Sequence, residues 1–168
     1  MDKSPIAQKG GNRRIFSLLN EYGASHQNAT NKFIHWIAVP VIVWTVVALL
    51  WAIPVPDAFA RMPYLNWATI ALLLTIIYYA VLSWTLAIGM VLFALLCIGA
   101  VQLYIGAPIF GLSLWHFAVG VFVIAWIFQF IGHKIEGKKP SFFKDVQFLL
   151  IGPAWLMSFI YRKLNIPV

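Results

Sequence analysis

The chain has 168 residues, 62% of them hydrophobic and 10% charged, with a mean hydropathy of +0.85. That balance excludes an ordinary soluble domain, and the wealth of aromatic and β-branched residues excludes a disordered chain. Twelve Lys and Arg against five Asp and Glu give a net charge of +7. The basic residues flank apolar runs, so they point to membrane orientation and anionic headgroups rather than to nucleic acid.

The length suits one compact domain over residues 1–168. Residues 1–14, with Lys3, Lys9, Arg13 and Arg14, read as a flexible basic terminus, and the polar first 30 residues do not resemble a cleavable signal peptide. Ile15, Leu18, Leu19 and Tyr22 then recur at helical spacing, as in a short amphipathic helix lying at the membrane interface. Gly23 ends that helix and residues 25–31 form a polar connector, with Thr30 or Asn31 as the cap of the first span.

That first apolar span covers residues 33–53, with Pro40 as a kink point, and a proline-rich loop comes next at 54–63. Residues 64–105 hold no charge, which is too long for one span and right for two, 64–83 and 86–105, broken near Ser83-Trp84-Thr85. A turn near Gly106 to Gly111 leads to a fourth span at 112–131. Residues 142–161 are apolar, but Lys144 and Asp145 sit near their start and Gly152-Pro153 interrupts them, so they read as a re-entrant or interfacial helix; a fifth crossing is the alternative. The fold class expected is all-α: a polytopic membrane bundle of four transmembrane helices, an N-terminal interfacial helix and this C-terminal element. Four spans put both basic segments on one side, and the positive-inside rule makes that side, with both termini, cytoplasmic. The membrane is then a bacterial inner membrane, or the endoplasmic reticulum in a eukaryote. The lone Cys97 lies in an apolar run and has no partner for a disulfide.

Polar groups at membrane depth are costly and mark sites. His26 lies in the connector, His35 in the first turn of span one and His133 directly after span four, so the topology brings all three to one face. Three imidazoles at one depth offer three nitrogens to a metal and leave further positions open. Amphipathic side chains resting at the headgroup level are the competing account. Nine residues on one continuous helix would set His26 and His35 on opposite faces, so convergence requires a break between them. Gln129, four residues before His133, shares its helical face and could hydrogen-bond its ring. Glu136 is either a carboxylate ligand, if the helix continues, or a solvated or ion-paired group. Lys134, Lys138 and Lys139 either steer an acidic headgroup or fatty carboxylate or serve only as a topology signal. His116 is 17 residues from His133, ~25 Å along a helix, and cannot join the cluster.

Two blocks carry a resemblance. His26-Gln27-Asn28-Ala29-Thr30-Asn31-Lys32-Phe33-Ile34-His35, continued to Val39-Pro40, resembles an H-x-N-x-x-N-x-x-I-H-x-x-x-V-P block. Trp126-Ile127-Phe128-Gln129-Phe130-Ile131-Gly132-His133, with the basic tail to Pro140 and the later Gly152-Pro153, resembles a W-I-x-Q-F-x-G-H block. Both belong to the iron(II)-dependent 2-hydroxy-fatty-acid dioxygenases, small multi-pass membrane proteins with a yeast member in the endoplasmic reticulum. The likeness runs from about residue 15 to 161 and rests on these blocks; the middle spans match in hydropathy alone.

The resemblance implies α-oxidation, in which a 2-hydroxy fatty acid and O2 give a fatty acid one carbon shorter. It implies Fe(II) held by His26, His35 and His133, with Gln129, Asn28 and Asn31 supporting them. The run His133-Lys134-Ile135-Glu136 is one residue shorter than in many relatives, which shifts Glu136 relative to the histidine. Chain length of the substrate is left open. A lipid-binding or assembly-scaffold membrane protein, without metal, is the alternative function.

Overall fold

The computed structural model describes residues 13–62, 64–140 and 147–168, without the side chains of Arg13 and Ala60. Lys3, Lys9, Lys144 and Asp145 lie outside the described residues. The described chain is all-helical: α1 Arg13–Ala24, α2 Ala29–Trp51, α3 Asp57–Ala60, α4 Trp67–Leu82, α5 Trp84–Gly106, α6 Leu114–Glu136 and α7 Phe148–Lys163, with one 3-10 turn at Ile109–Gly111.

Among the described residues, α2, α5 and α6 are long and apolar enough to cross a membrane, each 23 residues or ~35 Å, against a hydrocarbon core of ~30 Å. α4 is apolar but has 16 residues. Its ends are chemically fixed. Asn66 caps it through a reciprocal pair with Thr69, and Ser83, extended at φ −166°, ends it and at once caps α5 by accepting from Leu86 N–H. The break near Ser83 thus falls where polarity places it, and it folds α4 back on α5. Outward-facing Leu73, Leu74, Val81, Leu95, Leu96 and Leu103 are exposed, a surface suited to lipid rather than water.

Three expectations need correction. The connector ends sooner than the Thr and Asn residues suggest, because Asn28 caps α2, its Oδ1 accepting from Thr30 and Asn31 N–H, and Thr30 and Asn31 already lie in the helix. Gly152-Pro153 does not interrupt the C-terminal segment: both lie inside a continuous α7, where Pro153 removes a single N–H near the helix start. The apolar stripe of α1 is not turned to the membrane either. Ile15, Leu19 and Tyr22 are buried in a core with Ile151, Ala154 and Trp155 of α7 and Tyr79, Leu82 and Leu86 of the α4–α5 hairpin. Burial against protein satisfies the same periodicity as burial in lipid. Pro40 sits within an unbroken α2.

A second core of Val47, Ala48, Ala68, Cys97, Val101 and Ala118 closes the opposite end of the bundle. Small residues let the elements approach. A Cβ on Gly152 would stand 3.0 Å from Tyr22 Oη, and one on Gly23 3.1 Å from Trp155 Nε1, so α1 and α7 are in direct contact.

Candidate metal centre

Seen from the chain, the centre is built at three helix ends. α1 stops at Ala24; Ser25 N–H and His26 N–H return to the carbonyls of Tyr22 and Gly23, closing a turn that swings His26 beneath α2. α2 starts at Ala29, so His35 sits two turns in, ~10 Å from the cap. α6 runs to Glu136, placing His133 in its last turn.

The three rings meet. Centroids are 4.3 Å apart for His26–His35 and 4.9 Å for both His26–His133 and His35–His133, with interplanar angles of 73°, 71° and 90°. Among the described residues these histidines form a metal-capable group, one nitrogen from each lying within 4.8 Å of the others, all three side chains buried.

Hydrogen bonds decide which nitrogen each ring offers. His26 Nδ1–H donates to Tyr22 O at 2.7 Å, and His35 Nδ1–H donates to Asn31 O at 2.9 Å. In both rings Nε2 is therefore the unprotonated nitrogen. His26 Nε2 is buried with no partner. The Nδ1 of His133 is likewise buried with no partner. An orphaned buried nitrogen costs free energy unless something binds it. Neutral rings, fixed tautomers and inward lone pairs are the donor set that a divalent transition metal takes, so the residues fit the implied ion. Burial pushes His26 down to about 4 from 6.5, so it stays neutral and ready to bind at neutral pH. Tyr22 stacks on His26 at 4.2 Å and 13°, and Trp155 closes it from another side at 5.3 Å.

Glu136, offered by sequence as a ligand should the helix continue, is reached by the helix but is engaged elsewhere. Its Oε1 accepts Gln27 N–H at 2.8 Å; its Oε2 accepts Asn28 N–H at 2.8 Å and Asn31 Nδ2–H at 3.0 Å. Carboxylates favour this position, the positive end of α2. Lys138 Nζ donates to Ala24 O at 2.6 Å, a cation at the negative end of α1. That bond occupies Lys138 at a helix end; Lys134, Lys138 and Lys139 are all exposed. Asn28 and Asn31 act on the site through the connector: one caps α2, the other presents the carbonyl that orients His35.

Gln129 is buried and lines a cavity of about 50 Å³ beside His35, His133, Tyr22 and Trp126. It does not bond the orphaned Nδ1 of His133. His116 is exposed at the far end of α6, its Nδ1 paired with Ser113 Oγ at 2.7 Å. The sequence places Tyr22 in the apolar stripe of α1 and gives it no part in the site; its i,i+4 spacing to His26 was the available signal.

A bundle of apolar helices around a buried, neutral three-histidine cluster defines a membrane protein with a metal-capable centre. Residues 13–164 match the family described as Mpo1-like, 2-hydroxy-palmitic acid dioxygenase Mpo1-like, and the chain belongs to that family. It is 27% identical over 149 residues to the 2-hydroxy-palmitic acid dioxygenase MPO1 of Saccharomyces cerevisiae, covering 87% of this chain and 79% of the yeast protein. No solved structure matches the chain.

Proposed function

We propose that this protein is a membrane-embedded, Fe(II)-dependent dioxygenase that shortens 2-hydroxy fatty acids by one carbon. The observation that carries the reading is the convergence of His26, His35 and His133, with two ring nitrogens buried and unpartnered, in a chain whose relative is named for this activity. The balanced reaction takes a 2-hydroxy fatty acid and O2 to the fatty acid one carbon shorter, carbon dioxide and water. Iron bound by the three imidazoles would supply the oxygen chemistry; zinc, copper and nickel suit the same nitrogens, so the ligand set alone does not select iron.

The chain's own contribution is positional. Backbone carbonyls of Tyr22 and Asn31 hold two tautomers fixed, and Glu136 and Lys138 clamp the connector that carries His26. Phe148, Leu149 and Trp126 belong to the apolar part of the small cavity's wall. Gln129 places a side-chain amide in that wall, where it can meet the substrate's hydroxyl or carboxylate. Lys134 and Lys139, exposed beside the cluster, supply a positive field for an incoming carboxylate. Four crossings by α2, α4, α5 and α6, with both termini on the cytoplasmic side of a bacterial inner membrane or the endoplasmic reticulum, complete the reading, and surrounding lipids are its other partners.

The test is iron content of anaerobically purified protein together with oxygen uptake on a 2-hydroxy fatty acid. His26→Ala, His35→Ala and His133→Ala should each lose both, and His116→Ala should keep both. Full turnover in any of the first three sinks the proposal.

A further inference from the structure

Beside the small cavity at the histidines lies a much larger one of about 340 Å³, enclosed by α2, α4, α5, α6 and α7. Ile42, Val43, Trp126 and Leu149 line both, so the two adjoin at these residues. The large cavity has no charged residue in its lining. Its Tyr79 hydroxyl is already spent, donating to Leu150 O at 2.5 Å. A void this large between packed helices is costly to leave empty, because its lining forfeits contacts on one side. Engineered apolar cavities of about 150 Å³ already take up small hydrocarbons.

We infer that this cavity is the acyl-chain tunnel of the protein, with Ala71 and Leu72 of α4 at its closed end setting the length of chain accepted. The inference rests on the dioxygenase reading only for what sits at the head of the chain. Along α2 the path from His35 to Leu50 is 15 residues, or ~22 Å. One leaflet of a bilayer, half of a ~30 Å core, holds a full lipid chain in ~15 Å. The tunnel is therefore long enough for a membrane-length acyl chain with its carboxyl end among the histidines. Leu50, Ala68, Ala71 and Leu72 lie at the far end, where the second core, which includes Ala68 and Val47, forms the floor. Val46 and Leu149 are the exposed members of the lining, at 42% and 44%. They leave a lateral opening through which a chain can enter from hydrocarbon rather than from water.

The test is displacement of cis-parinaric acid from the metal-free, full-length protein in detergent by decanoic and octadecanoic acids. Wild type should bind both. Ala71→Phe, which fills the closed end, should weaken octadecanoic acid selectively and leave decanoic acid unchanged. Leu72→Ala, which deepens the end, should favour octadecanoic acid over decanoic acid relative to wild type. Retained decanoic acid binding reports that a variant is folded. Loss of both acids in parallel, or no displacement by either, overturns the tunnel. Chain-selective binding without turnover by the iron-loaded protein keeps the tunnel and removes the dioxygenase reading; turnover with chain-blind variants does the reverse.

Discussion

Glu136 and Asn28, 108 residues apart in sequence, meet at 2.8 Å, the carboxylate of one accepting the backbone N–H of the other at the cap of α2. With Gln27 N–H and Asn31 Nδ2–H on the same carboxylate, α6 holds the connector that carries His26. In Glu136→Gln the amide Nε2 would face donors, so at least one of those bonds is lost. Hydrogen bonds to charged groups are worth about 1.5–3 kcal/mol each, reduced by the partial exposure of this one. The expected outcome is a lower Tm and weaker metal retention than in Lys139→Ala, measured side by side. Equal Tm and metal content in the two variants would show that the clasp does not position the site.

Gly132 is the contact at which α6 crosses α2. A Cβ there would stand 2.5 Å from Asn31 Oδ1 and 3.5 Å from Ile34 Cγ2. Because the Asn31 carbonyl also accepts the hydrogen bond of His35 Nδ1–H, the added methyl displaces a ring of the cluster as well as a helix. Gly132→Ala should destabilise the protein by about 1–3 kcal/mol, as overpacked cores do, and lower metal affinity. Gly99→Ala, where a Cβ meets nothing within 4 Å, is the control and should be neutral or slightly stabilising. Thermal unfolding of both in one detergent decides it.

Much of this was legible because it depends on local chemistry. Ser83 is the polar residue that can end one apolar helix and cap the next, so the break at Ser83-Trp84-Thr85 was readable in an uncharged run. The meeting of the three histidines followed from their common depth together with a helix break between His26 and His35. The orientation of Glu136 did not, since a carboxylate near a histidine and near a helix N-terminus has two physical outlets, and only the position of α2 decides between them. The burial of α1 was likewise hidden: Ile15, Leu19 and Tyr22 make the same stripe whether they face lipid or α7. Gly152 looked like a helix breaker because its use, under the Tyr22 hydroxyl, is a tertiary contact.

The buried state of His26 gives the metal-free protein a pH dependence. Its pKa is about 4 in the folded chain against 6.5 as the ordinary value. Below 6.5 the unfolded chain binds a proton that the folded chain refuses, so stability is full above 6.5 and falls as pH drops toward 4. The span corresponds to on the order of 3 kcal/mol. Melting of metal-free wild type should decline through that window, and His26→Gln should flatten the decline. A profile unchanged by the substitution would assign the acid sensitivity to other groups.

Metal itself should stabilise the fold, and a substitute ion added without substrate separates that effect from catalysis. His26 Nε2 and His133 Nδ1 are buried without partners, so a divalent ion with affinity for imidazole binds the folded chain and has no assembled site in the unfolded one. At a free concentration of 100 times its Kd such an ion stabilises by about 2.7 kcal/mol. Nickel added to the metal-free protein should therefore raise Tm in a concentration-dependent way, and EDTA should return it to the starting value. His116→Ala should respond like wild type, because that ring is exposed and paired with Ser113 at the other end of α6. His133→Ala removes one nitrogen and also the cost of leaving it orphaned, so its metal-free Tm need not fall although its nickel response should vanish. A nickel response that survives in His133→Ala would mean that the ion binds outside the cluster.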